Sequence, residues 1–180
     1  MSRIPGVLIG LGLALGAGHA CADDPCAAAT WEHERALFRQ APQVINAGVS
    51  AAQLPVLKPD VHYEVNLSAQ PQVAFALAPA KKKEVPGSRA GLAQLTLEHA
   101  GVYRISLSAP VWVDVIANGT LLESRDHQGR HGCDAPQKIV EFTLPAGTAL
   151  TLQLSASSGA SVDVAITPAP APTPAAPAPR

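Results

Sequence analysis

Polar and ionisable side chains gather in one run, Glu123-Ser124-Arg125-Asp126-His127-Gln128-Gly129-Arg130-His131-Gly132-Cys133-Asp134. Two imidazoles four positions apart beside carboxylates have the composition of a metal site. His127 and His131 with one of Asp126, Glu123 or Asp134 would form a two-histidine, one-carboxylate set suited to Fe(II) or Zn(II) with open coordination positions. Such an ion would supply the oxygen chemistry and the loop only its ligands. The same residues also read as a surface loop anchored by Cys133 that binds no cofactor. Gly129 and Gly132 loosen any geometry the spacing implies, and Arg125 and Arg130 repel a bound cation.

Other catalytic signatures are missing from the sequence: it has no G-x-S-x-G elbow, H-E-x-x-H pair, phosphate-cradling glycine loop or dinucleotide fingerprint. No catalytic residue is therefore assigned. His62 and His99 fall on the polar phase of apolar alternations, which predicts solvent exposure, and His33 belongs to a short helical stretch.

The elements that must carry these residues are strands. From Val61 onward apolar residues recur at every second position, the period of a sheet with one buried face. The alternating sets are Val61 to Leu67, Val73 to Leu77, Ala93 to Leu97, Tyr103 to Leu107, Val111 to Ala117, Val140 to Leu144, Leu150 to Leu154 and Val162 to Ile166. Asn118-Gly119 predicts a tight hairpin leading to a short strand at Thr120 to Ser124, because both residues reach positive φ at low cost. About nine short strands without intervening amphipathic helices predict an all-β antiparallel sandwich or jelly roll. Ala27 to Gln40, with Trp31, Leu37 and Phe38 as its apolar contacts and Pro42 beyond it, is the one candidate helix.

Trp112 breaks the alternation. Val111, Val113 and Val115 share one face, while Trp112 and Ile116 flank Asp114 on the other, so both faces of this strand are expected to be at least partly covered. Two readings stand: an indole tucked under a loop or the N-terminal segment, or an accessible aromatic that stacks on a sugar ring or partner. The triplet Lys81-Lys82-Lys83 lies in a loop at Pro79 to Ala90. It either keeps that loop in water or contacts an anionic lipid or polysaccharide.

Arg3 precedes an uncharged apolar run from Ile4 to Ala17, and Ala20-Cys21-Ala22 then offers a cleavage site, the pattern of a secretory leader. The implied organisation is a signal peptide over 1–22, a lead-in over 23–60, a sandwich over 61–167 and a Pro/Ala-rich tail over 168–180. Export predicts a periplasmic or secreted protein, or a lipoprotein anchored at Cys21, and no later stretch is apolar enough to span a membrane. Loss of the leader leaves Cys26 and Cys133. In an oxidising compartment these either pair, with a loop-closure contribution of up to about 4.7 kcal/mol, or stay as two thiols. Twelve basic residues then face fourteen acidic ones, which argues against nucleic acid and leaves an envelope component or a protein as the partner.

Gly101-Val102-Tyr103-Arg104-Ile105-Ser106-Leu107, Val111-Trp112-Val113-Asp114-Val115, the His/Gly/Cys loop and Lys138-Ile139-Val140-Glu141-Phe142 together resemble a group of small exported proteins of Gram-negative bacteria. That group frequently carries the label homogentisate 1,2-dioxygenase. The similarity covers roughly Val73 to Ile166 and implies an exported sandwich. The label implies an iron enzyme that opens an aromatic ring, although the ligand motif of that longer, cupin-type enzyme has no residue-by-residue counterpart here. The Gly-x-Tyr-x-x-x-Leu strand followed by Val-x-Val is similar, at the level of fold, to jelly-roll modules of secreted peptidases.

Overall fold

Alternating apolar residues build two facing sheets in the computed structural model, which describes residues 31–81, 85–130 and 134–171. Strands β1 (Gln43–Asn46), β3 (His62–Asn66), β12 (Ser161–Pro168), β6 (Gly101–Leu107), β10 (Lys138–Leu144) and β9 (Ser124–Gly129) form the first sheet in that spatial order. Strands β2 (Val56–Leu57), β5 (Arg89–Thr96), β11 (Ala149–Ser157), β7 (Trp112–Ala117) and β8 (Thr120–Leu121) form the second, with β4 (Ser68–Ala69) pairing beside them on β5. The protein is an all-β sandwich.

The core lies between the sheets. Val65, Ile105, Leu107, Phe142 and Val164 of the first meet Leu95, Val113, Val115, Leu152 and Leu154 of the second in one cluster. Burial of each large aliphatic side chain contributes about 1.5–3 kcal/mol, so this layer is the main source of stability. Asn118 at φ 50° and Gly119 at φ 73° make the tight turn between β7 and β8. Gly91 is required for a different reason: a Cβ there would stand 2.3 Å from that of Ala47, where the chain leaving β1 crosses β5.

Several expectations change. Both sheets are mixed, not purely antiparallel, because β1 joins β3 and β2 joins β5 in parallel. The described residues hold twelve strands where about nine were expected, and two of the additions fall in the segment expected to be only a lead-in. Ser124–Gly129, expected as loop, is an exposed edge strand antiparallel to β10. Val73 to Leu77, expected as a strand, is irregular. Its backbone is held by a side chain instead of a ladder: the Ala76 and Leu77 N–H groups donate to Gln153 Oε1 at 2.8 and 3.2 Å, and Gln153 Nε2 donates to the Leu77 carbonyl at 3.1 Å. Gln153 is 0% exposed, and this segment crosses the outer face of the second sheet.

The helix is α1 (Glu32–Phe38), lying against the outer face of the first sheet, where it contacts β12. The expected start at Ala27 lies outside the described residues. Coverage by α1 explains why His62 is buried at 6% exposure, contrary to expectation: its ring stacks on Phe38 at 4.8 Å, and Nδ1 is 2.8 Å from the Gln40 carbonyl. The polar phase of a strand is wet only where nothing lies on it. His99 is exposed as expected, and the exposed His33 Nε2 reaches Asp60 at 2.8 Å. No helix among the described residues is long and apolar enough to cross a membrane.

Candidate functional site

Along one edge of the sandwich, β7 and β8 of the second sheet stand opposite β9 and β10 of the first. Two adjoining clefts of about 490 and 620 Å³ open there and share Trp112, His127 and Lys138. The first is also lined by Lys81, Arg130 and Gln137, and the second by Asp114, Glu123 and Ser124 over an apolar floor of Val113, Val140 and Phe142.

Strand geometry decides which side chains enter. Directly paired antiparallel residues share a face, so His127, opposite Val140, lies on the core side of β9, and Lys138, opposite Leu107, lies on the core side of β10. Trp112 and Asp114 share the opposite phase of β7 from Val113 and Val115. Trp112 is partly exposed, and its indole N–H donates to Asp114 Oδ1 at 2.9 Å. The ammonium groups of Lys81 and Lys138 stand 5.2 and 5.4 Å from its ring centroid, within cation–π range.

Charge around this indole is unevenly shared. Burial raises the Asp114 carboxyl above its ordinary value, against the opposing effects of the Trp112 N–H, the Ala80 N–H and the Lys138 charge. Burial likewise lowers the Lys138 amine, and Lys81 lowers it further, while Asp114 pulls the other way. Lys138 Nζ donates to the Val111 carbonyl at 2.7 Å, and the Ala80 N–H donates to Asp114 Oδ2 at 3.2 Å. Lys138 thus stands between the opposing charges of Lys81 and Asp114.

A second polar cluster lies under α1. The Arg104 guanidinium donates to Glu34 Oε1 at 3.2 Å and to Glu141 Oε1 at 2.8 Å, and the Thr167 hydroxyl donates to the same Glu34 oxygen at 3.1 Å. Burial disfavours the Arg104 charge, yet the bonds and charges of Glu141 and Glu34 outweigh it and raise its pKa above the ordinary value. Nearby, Trp31 is 1% exposed, donates its indole N–H to Gln128 Oε1 at 3.1 Å and carries the Arg130 guanidinium 4.7 Å from its ring centroid. Glu34 is 2% exposed, and this cluster fastens the helix to the sheet.

The residues expected to hold a metal are distributed by β9. Asp126 pairs with Glu141 and His127 with Val140, so these neighbours point to opposite faces. Asp126 accepts the His127 backbone N–H at 2.8 Å and the Gln128 amide at 3.3 Å. Glu123 lines the same cleft as His127, whereas His131 lies outside the described residues. No three His, Cys, Asp or Glu side chains converge as a cation cage among the described residues. The Cys26 and Cys133 pairing also falls outside them.

Sequence context does not single out Lys138, and it marks Lys81 only as part of a lysine triplet that keeps a loop in water or contacts an anionic lipid or polysaccharide. The two are 57 positions apart, and only the sandwich edge brings them together. The available signal was Trp112 itself, a large aromatic on the phase that should have been wet. No family model, curated protein or solved structure matches this chain.

Proposed function

We propose that this chain is an exported, non-enzymatic binding module, periplasmic or secreted, whose ligand is a component of the bacterial envelope and whose binding surface is the double cleft around Trp112. The observation that carries the reading is the fixed, partly open indole at the junction of the two clefts. An aromatic face with its N–H already anchored gives a large contact area at little cost in conformational entropy. Its neighbours are themselves held in place: Asp114 accepts from Trp112 and Ala80, and Lys138 donates to the Val111 carbonyl. The leader-like first residues, Arg3 followed by Ile4 to Ala17, support export.

The test is a titration of the full chain with solubilised cell-wall glycans, read by intrinsic tryptophan fluorescence. A saturable change that disappears in Trp112→Ala is the expected result. A flat trace, or metal-dependent turnover by the purified protein, would overturn the reading.

A further inference from the structure

The first cleft has a charge pattern that narrows its ligand. Lys81, Lys138 and Arg130 line it together with His127, and among the described residues no carboxylate does. Asp114, whose charge acts on Lys138, lines the adjoining cleft, where both its oxygens already accept hydrogen bonds. Folding has therefore placed two ammonium groups, Lys81 and Lys138, side by side at the Trp112 ring. Mutual repulsion of this kind destabilises the empty site and is relieved when an anion enters.

Resting on the binding reading above, we propose that the cleft recognises an acidic saccharide, with its sugar ring against the Trp112 indole and its carboxylate or phosphate between Lys81 and Lys138. Shape supports the saccharide half. A flat apolar face flanked by polar Gln137 and basic side chains matches a sugar, whose C–H surface is apolar and whose rim is polar. Lys81 is exposed and its long stem lets the ammonium leave the ring face for a ligand anion, while Lys138 is held by the Val111 carbonyl as the fixed half of the pair. The site closes no covalent step, and recognition needs only desolvation, stacking and charge pairing. Because part of the binding energy is electrostatic and the cleft is open to water, affinity should fall with ionic strength.

The experiment is calorimetric titration of the full chain at low and at physiological salt with four probes: trigalacturonate, neutral galactotriose, glucose 6-phosphate and inorganic phosphate. Binding of trigalacturonate at least ten-fold tighter than galactotriose supports the proposal and assigns the anion as a uronate. The same preference for glucose 6-phosphate over both galactotriose and inorganic phosphate supports it with the anion as a sugar phosphate. Lys81→Gln should weaken the preferred probe about ten-fold and Lys81→Arg should restore it. Lys138→Gln, which keeps a donor for the Val111 carbonyl, should weaken it as much, with circular dichroism confirming the fold. Equal affinity for galactotriose and trigalacturonate, lost in Trp112→Ala, would overturn the charge inference while leaving the binding module standing. Equal affinity for inorganic phosphate and glucose 6-phosphate would overturn the saccharide half. Silence toward all four probes, with a fluorescence response to cell-wall glycans retained, would overturn the proposal and again spare the binding reading.

Discussion

The two tryptophans make an instructive pair. Each indole N–H donates to a side-chain oxygen and each ring carries cations, Arg130 for Trp31 and the two lysines for Trp112. Their surroundings differ in access and in charge. Beside Trp31, under α1, one buried guanidinium is shared by two carboxylates, Glu34 and Glu141. At Trp112 two ammonium groups flank the ring, and the ring reaches solvent. The same contacts therefore make a fastening in one place and a receptive surface in the other. What separates them is how far the ring reaches solvent and which charges surround it among the described residues.

Truncation should split the pair most sharply. Trp31→Ala removes a fully buried aromatic and is expected to cost about 4 kcal/mol. Trp112→Ala removes a partly exposed one and should cost only about 1.5 kcal/mol while abolishing binding. Urea unfolding of both variants, with unchanged slope and shifted midpoint, measures the contrast. Equal losses would erase it.

Arg104→Ala comes next, because it leaves Glu34 buried without its cation. About 3 kcal/mol of destabilisation is expected, with no change in affinity at the Trp112 cleft. A parallel loss of binding would show that the two regions are coupled.

Gln153→Ala should act on the outer face of the second sheet alone. It strips the partner from the Ala76 and Leu77 amides and the Leu77 carbonyl, for a cost of about 2 kcal/mol. Hydrogen exchange should accelerate at those two amides and leave the α1 side unchanged.

Much of this architecture was legible in the chain, and the reasons for the exceptions are physical. Strands with a buried face, such as Tyr103 to Leu107 and Leu150 to Leu154, show the two-residue period because the core enforces it. Ser124–Gly129 is exposed throughout, so nothing stamps a pattern on it and an edge strand looks like a loop. Val73 to Leu77 errs in the other direction: it has the apolar period, but its backbone is bonded to the Gln153 amide. His62 follows the polar phase and is still buried, because coverage of an outer face by α1 is a tertiary event. Lys81 and Lys138 meet only at the Trp112 ring on the sandwich edge, and no local pattern encodes that meeting. Asp126 and His127 looked like neighbours suited to one ion until a strand placed them on opposite faces.

The smallest effect expected is on pH. The lowered Lys138 pKa means that the charged amine costs the fold stability below that pKa, and the cost fades as pH rises toward the ordinary 10.5. An anion in the cleft favours the charged form, so binding takes up protons and affinity should decline as pH rises through the lowered value. Lys81, Asp114, His127 and Arg130 face the same space and set the background. Calorimetry in two buffers of different ionisation enthalpy should show proton uptake in the parent chain and less of it in Lys138→Gln. Identical uptake would remove Lys138 from the linkage.

Fluorine NMR of the full chain labelled with 5-fluorotryptophan tests the central contrast most directly, since it gives one resonance for each indole. Titration with whichever of trigalacturonate and glucose 6-phosphate binds the more tightly is expected to move the Trp112 signal saturably and leave the Trp31 signal in place. Two unmoved signals, or a shift confined to Trp31, would contradict the account.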